Sequence, residues 1–477
     1  MDILDTMITV LAIGIATVSA GHALLSKRDP KAAIGWIAVC ILFPFAGPFL
    51  YYLFGINRVR TRAQKLQRRS ELLLAAEAMP LKKQKIGLVT DAGSQSENPE
   101  LVHVSDIITD RPLVGGNLIE VLHNGEQTYP EMLAAIENAR QSLFLATYIF
   151  ETDHTGRSFI DALSRAVQRG VDVKVIVDGL SDICHLPRAS RLLKKRGIPV
   201  VSFLPPQLIP PTVHLNLRNH RKILVADGEI GFTGGINIGD SHLAEQHENS
   251  NRVVDLHFRL KGPVVEQIEQ VFIDDWGFLT GEYDGVGQGE STQEGSTVCR
   301  VITEGPNEDL DKLAMILIGA VSAARTSVVI MTPYFLPPRG LLAALQAAAL
   351  RGLRVTVILP AKNDSRLVHW ATRKLLWELL ERGVQIYYQP PPFVHTKLVI
   401  IDEHYVHIGS ANIDPRSLRL NFELAVEVFD RPLAELLTEH VRAVIKRSKV
   451  VTLEDMDGRS LPVKVRDSMA WLLSPYL

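Results

Sequence analysis

The chain has 477 residues, long enough for two or three domains with sizeable buried cores. Its 51 basic and 53 acidic residues nearly cancel, which argues against the strongly basic field of a nucleic-acid-binding protein. Cys40, Cys184 and Cys299 are too few and too scattered for a disulfide framework or a cysteine-ligated zinc site.

The N-terminus carries two uncharged apolar runs, residues 7–25 and 32–55. About 20 residues at ~1.5 Å each cross a hydrocarbon core of ~30 Å, so both runs are long enough to span it. A cleaved signal peptide starts basic, whereas this chain starts with Asp2 and Asp5. Residues 1–56 therefore predict a membrane hairpin of two transmembrane helices, the second kinked or partly re-entrant at Pro44 and Pro48. Trp36, Tyr51 and Tyr52 lie towards its ends, as interfacial anchors do. Arg58, Arg60, Arg62, Lys65, Arg68 and Arg69 follow, and they favour a cytoplasmic bulk. The loop "SKRDPK" has three basic residues of its own, which weakens that bias. Residues 57–110 read as a basic and polar connector whose helix either lies on anionic headgroups or is solvated.

From residue 111 the sequence repeats itself. "YIFETDHTGRSFIDALSRAVQRGVDVKVIVDG" reads as strand, turn, amphipathic helix and strand, and "MTPYFLPPRGLLAALQAAALRGLRVTVILP" has the same order. Arg169-Gly170 and Arg351-Gly352 close the two helices with the residue that tolerates a left-handed cap. Strands alternating with helices predict an α/β protein, its two units built on largely parallel sheets. Residues 281–296, rich in Gly, Ser and Glu, form a linker between them. The tail, 448–477, ends in "MAWLLSPYL" and reads as a helix that packs on a domain or touches the membrane.

Each unit contains one copy of a motif: "HRKILVADGEIGFTGGIN" and "HTKLVIIDEHYVHIGSAN". A constant offset of 175 residues separates His220 from His395, Lys222 from Lys397, Asp227 from Asp402 and Asn237 from Asn412, so duplication is the economical explanation. Strand alternation puts each His and Lys on one face, opposite Ile223 and Val225 or Leu398 and Ile400. Bringing the copies together gathers two imidazoles, two ammonium groups and two amides. That set suits a phosphodiester. One imidazole attacks phosphorus while the other serves as acid and then base. The lysines and amides bind the non-bridging oxygens. A lone His-x-Lys would be a surface pair, but two complete copies at one offset are not. The neighbouring ammonium groups would repel a metal ion and supply its charge, so neither metal nor cofactor is expected. Asp227 and Asp402 fall on the opposite face from the histidines and read as structural carboxylates. His214, His404 and His407 lie near the motifs without a clear role. The Pro-rich loop 204–215 is either a rigid lid or a segment that dips into the bilayer.

Over residues 111–445 the sequence resembles the phospholipase D superfamily, whose duplicated HKD motif the two copies match. The likeness sharpens to bacterial cardiolipin synthases through "LRNHRK", "GGINIGD" and "GSANIDPRSLRLNFE". "RDPKAAIGWIAVCILFPFAGPFLYYLFG" is similar to their paired membrane anchor. The resemblance implies two phospholipase D-like α/β domains, 111–285 and 296–447, related by a pseudo-two-fold axis. It implies a catalytic set of His220, Lys222, Asp227, His395, Lys397 and Asp402. In that set His220 is the nucleophile, forming a phosphatidyl-histidine, and His395 is the general acid and base. Lys222, Lys397, Asn237 and Asn412 would bind phosphate. Glu423 matches the acidic residue that orients a histidine, and Asp255 matches its counterpart without the Trp-Arg that often precedes it, leaving a buried salt bridge as its other reading. The implied reaction joins two phosphatidylglycerols into cardiolipin at the inner membrane of a bacterium, with no nucleic-acid partner. Hydrolysis or another phosphatidyl transfer, such as phosphatidylserine synthesis, by the same core, an HKD nuclease and a non-catalytic scaffold are the other readings. Two membrane segments and near-neutral charge count against the nuclease, and two intact motifs against the scaffold.

Overall fold

The computed structural model describes residues 3–27, 30–55, 99–109, 111–208, 211–212, 217–245, 251–283, 292–305 and 311–474. The basic connector helix, His214 and the tip of the loop 204–215 fall outside them. The chain divides into two units, residues 1–66 and 67–477.

In the first unit, Ile3–Ser26 is a single 24-residue helix, long and apolar enough to cross a membrane. The expected second span is not there. Its apolar run forms a 13-residue helix, Pro30–Leu42, then turns at residues 43–45 before the short helix Ala46–Leu50 and a π-turn, Tyr51–Gly55. Pro44 explains the break, since proline has no N–H to donate and disfavours the helical conformation of the residue before it. Thirteen residues rise only about 20 Å, short of a hydrocarbon core. Among the described residues one helix meets the length of a span, so a multi-pass anchor is not supported. The broken run packs on the long helix around Ala23, Cys40 and Tyr51, and Tyr51 Oη lies 2.7 Å from His22 Nδ1.

The second unit is built on one sheet. Its first half supplies β1 (Val114–His123), β2 (Ser142–Thr147), β3 (Asp172–Asp178), β4 (Val200–Phe203), the short hairpin β5 (Gln207–Leu208) and β6 (Pro211–Thr212), the motif hairpin β7 (Ile223–Ala226) and β8 (Ile230–Gly234), β9 (Val253–Val254) and β10 (Leu256–Lys261). The second half supplies β11 (Thr297–Glu304), β12 (Ser327–Met331), β13 (Arg354–Pro360), β14 (Gln385–Gln389), β15 (Phe393–Val394), the hairpin β16 (Leu398–Ile401) and β17 (Tyr405–Gly409), β18 (Glu423–Phe429) and β19 (Lys449–Val451). Fifteen strands join in the order β19-β14-β13-β12-β16-β17-β18-β11-β1-β10-β8-β7-β2-β3-β4. Read outward from the β11–β1 contact, the two halves repeat strand for strand, with β19 added at one edge.

The sheet is mixed, which corrects the expectation of largely parallel pairing. Only β2-β3-β4 and β12-β13-β14 run parallel, and these are the strands joined by crossover helices. The motif strands form antiparallel hairpins and pair antiparallel with β2 and β12. Three residues make each turn, with Asp227-Gly228 and Asp402-Glu403 all at positive φ, and the Glu229 and His404 N–H groups close them by donating to Ala226 O at 3.0 Å and Ile401 O at 3.1 Å. Helix His154–Gln168 joins β2 to β3. Asp153 caps it by accepting the Gly156 N–H at 2.9 Å, and Gly170 at φ 87° ends it. Helix Arg339–Leu350 does the same in the second half, with Gly352 at φ 91°.

Each half has its own apolar core. A buried Leu or Phe contributes about 1.5–3 kcal/mol relative to an exposed one. The two cores therefore leave the polar residues between them as the costly part of the structure.

Candidate active site

The motif segments meet between the halves, at the carboxyl ends of the parallel strands, where ligands bind in sheets of this kind. Neither His-Lys pair lies in its strand, as alternation alone had placed it: β7 begins after Lys222, and β16 after Lys397. Each approach crosses to the other half instead. The His220 N–H donates to Phe422 O at 2.9 Å, and the Phe422 N–H donates to Arg218 O at 2.9 Å. In the second copy β15 pairs parallel with β9, and the His395 N–H donates to Val254 O at 2.8 Å. A buried network holds the first crossing in place. Arg218 pairs with Asp178 at 3.3 Å and Arg221 with Asp275 at 2.6 Å, and the Asn219 amide donates to Asp275 at 3.1 Å.

The crossing exchanges the carboxylates. Glu423, from the second half, lies 3.0 Å from His220 Nδ1 of the first. Asp255, from the first half, lies 2.8 Å from His395 Nδ1 of the second. His220 Nδ1 also lies 3.1 Å from Ser410 O. A carboxylate and a carbonyl only accept, so each Nδ1 carries the hydrogen and each Nε2 presents a lone pair. Burial would push the Asp255 carboxyl up, but the hydrogen bond from His395 and the nearby positive charge bring it down to about 2. Glu423 is likewise lowered, with His220, Lys222 and the Ser410 hydroxyl outweighing burial. Both acids are therefore ionised. Burial lowers both imidazoles, His395 to about 4 with help from the Lys397 ammonium, so both rings are neutral near pH 7.

The lysines are buried as well. Lys222 Nζ donates to His220 O at 2.8 Å, and Lys397 Nζ to His395 O at 2.6 Å, so each cation is held beside its own histidine. Burial and their mutual repulsion lower Lys222 to about 7; burial lowers Lys397 to about 8. Such cations gain most from an arriving anion. Asn412 lines a small cleft with Lys397 and Thr332, and its buried amide oxygen has no partner among the described residues. The Asn237 amide oxygen accepts the Ile149 N–H at 3.3 Å.

Asp227 and Asp402 stand apart, at the far ends of β7 and β16, which corrects their place in the catalytic set. Asp227 accepts backbone N–H groups of Arg140, Gln141 and Ser142 at 2.7–3.1 Å. Asp402 accepts those of Arg325, Thr326 and Ser327 at 2.7–2.9 Å. Each pins the start of the neighbouring parallel strand from the hairpin turn, a structural role reached without the strand-face alternation that suggested it. His407 is buried on β17 and borders the Lys397 cleft.

Four site residues were not legible in the sequence. Tyr148 packs edge-on to His220 with ring centroids 4.9 Å apart, and Lys222 Nζ sits 5.5 Å over its ring. The Ser410 hydroxyl donates to Glu423 at 2.6 Å, where the first copy has Gly235. The motif alignment shows that Ser/Gly difference but not its purpose. His242 and His257 surround Asp255, both buried and both lowered by burial to about 3; no motif marks them.

Residues 132–276 and 317–445, over half of the chain, match the family described as "Cardiolipin synthase, PLD-like domain". Residues 11–55 match "Phospholipase D-nuclease N-terminal". The chain is 30% identical to the major cardiolipin synthase ClsA of Bacillus subtilis over 94% of its own length and 95% of the relative's. It is 28% identical to cardiolipin synthase A of Pseudomonas putida KT2440, over 96% and 95%. Among solved structures, phosphatidylserine synthase of Haemophilus influenzae has the same fold at a TM-score of 0.62 and 16% identity, covering 79% of this chain and all of that one.

Proposed function

We infer the reaction from one premise: this chain belongs to the cardiolipin synthase family, with its phospholipase D-like domains. It is a phosphatidyltransferase that passes the phosphatidyl group of one phosphatidylglycerol to the hydroxyl of a second. His220 Nε2 attacks phosphorus, and the bond from phosphorus to the headgroup glycerol breaks. His395 gives that glycerol oxygen its proton, then takes the proton of the incoming hydroxyl, which attacks phosphorus and frees His220. Cardiolipin and glycerol leave. Lys222, Lys397, Asn237 and Asn412 hold the non-bridging oxygens. The phosphodiester anion lying between the lysines raises the pKa of His395, so that Nε2 can carry the proton it must donate.

One observation carries this reading: the exchange of carboxylates leaves two neutral imidazoles, each with a free Nε2 beside a buried ammonium, and each lysine's charge acts on the other copy's histidine. The anchor supports a lipid substrate. If helix Ile3–Ser26 spans and the broken run re-enters, the basic residues at 27–31 and 58–69 fall on the same side of the membrane. Both then favour a cytoplasmic catalytic unit at the bacterial inner membrane.

Purified protein in phosphatidylglycerol vesicles, without CTP or added metal, is expected to release cardiolipin and glycerol in equal amounts. Phosphatidic acid as the sole product would make the enzyme a hydrolase.

A further inference from the structure

The last described helix, Leu461–Leu472, is apolar on two faces. Its inner face sets Ala470 and Trp471 in a cluster with Leu336, Val368, Ala371 and Leu375. Buried Asp467 ties it to helix Arg366–Leu380 through Arg373 at 3.4 Å, and also accepts from Arg459 at 2.6 Å and from its neighbour Arg466 at 2.8 Å. Its outer face exposes Leu461 (74%), Val465 (49%), Met469 (62%) and Leu472 (68%), with Leu473 (47%) just beyond. Steps of four, four and three residues keep these side chains in one stripe.

Scattered apolar residues on a protein surface are ordinary, but a continuous stripe marks a contact. Four of the fifteen large apolar side chains exposed among the described residues of this unit stand on this one helix, and a fifth, Leu473, follows it. Cations border the stripe. Lys464 lies on one edge and Arg466 on the other, the latter with its guanidinium 4.4 Å above the Trp370 ring. Residues 459–474 hold three cations and one acid, and that acid is buried and paired.

The position of the stripe is as informative as its composition. Beneath its C-terminal end, Trp471 of the inner face packs in the same cluster as Trp370 and Tyr334. The Tyr334 hydroxyl donates to Asp364 at 2.7 Å, and the charge of Asp364 acts on Lys397. The C-terminal end of the helix therefore lies towards the Lys397 side of the site.

We propose that the outer face of helix Leu461–Leu472 docks on an anionic bilayer. The apolar stripe sits among the acyl-chain ends and the flanking cations sit at the headgroups, so a lipid phosphodiester enters the site beside Tyr334 without crossing water. This rests on the phosphatidyltransferase reading for its purpose and adds a second membrane contact to the N-terminal helix.

The test uses the full-length protein in phosphatidylglycerol vesicles, with Cys184→Ser removing the exposed thiol. A nitroxide is placed at Met469→Cys, Leu472→Cys or, as a control on another helix, Glu439→Cys. Labels at 469 and 472 are expected to be at least fivefold less accessible to a water-soluble nickel chelate than the label at 439. Equal accessibility overturns the proposal, as does spin–spin broadening that shows a second copy covering the stripe. A Met469→Asp/Leu472→Asp double variant is expected to lose about tenfold in vesicle turnover while keeping its rate on short-chain phosphatidylglycerol dissolved as monomers. Loss on both substrates, or on neither, overturns the proposal. If the unaltered protein made no cardiolipin from either substrate, the reaction reading would fail, while label depth would still decide docking.

Discussion

The two halves of the catalytic unit share a strand order and a motif, yet they surround their histidines differently. Around His220, the Glu423 carboxylate also accepts from the Ser410 hydroxyl and the Asn421 amide, and the Ser410 carbonyl is a second acceptor for Nδ1. Around His395, Asp255 is the single side-chain acceptor among the described residues; besides the ring it binds the Leu256 N–H at 2.8 Å, and the neutral rings of His242 and His257 lie near it. The orientation of His220 is doubly secured, and that of His395 depends on one carboxylate. Such an arrangement suits one ring that must hold still to form a bond to phosphorus and another that must gain and lose a proton.

The sharpest test of the shared part is removal of either imidazole. His220→Ala and His395→Ala are each expected to abolish cardiolipin formation, a loss of at least 10⁴-fold, with unfolding curves close to the parent's. Normal turnover in either variant would sink the mechanism.

The difference between the halves is tested by the carboxylates. Asp255→Asn and Glu423→Gln are expected to lower kcat by about 10²- to 10⁴-fold. Asp255→Asn should be the worse of the two, because Glu423→Gln leaves the Ser410 carbonyl to hold the His220 tautomer. The reverse ranking would break the comparison.

Swapping small groups probes the same asymmetry more gently. A Cβ at Gly235 would lie 2.3 Å from an Asp255 carboxylate oxygen, so Gly235→Ala should displace that carboxylate and cost about 10- to 100-fold in kcat. Ser410→Ala removes one of several bonds to Glu423 and is expected to cost only about threefold.

The pH dependence probes the lysines that both halves share. An ordinary lysine keeps its charge to about pH 10.5, but Lys222 and Lys397 lose theirs as pH rises through about 7 and about 8. The free enzyme's kcat/KM should therefore start to fall above about pH 7 and steepen beyond 8, approaching tenfold per pH unit for each ammonium required. A profile flat to pH 10 would mean that the lysines keep their charge or do not bind the phosphate.

Much of this was written in the sequence because it is local. A glycine-closed helix at Gly170 and the strand, turn, helix and strand order of each unit depend on neighbours a few residues away. The repeat at 175 residues then identified the two motifs as parts of one site. The place of Asp227 and Asp402 was not legible in this way, because the histidines lie outside the strands and the two acids stand in the turns beyond them.

The tertiary structure decided what depends on contacts between distant segments. Glu423 and Asp255 are visible as acids, but which histidine each one meets is set by the crossing of the approach segments between halves, 203 residues apart for His220 and 140 for His395. The depressed lysines, the neutral His242 and His257, and the ring of Tyr148 on His220 follow from burial, which composition does not encode residue by residue. At the N-terminus the reverse held: hydropathy alone made residues 32–55 a second span, and folding broke that run at Pro44 because a helix needs a donor N–H that proline lacks.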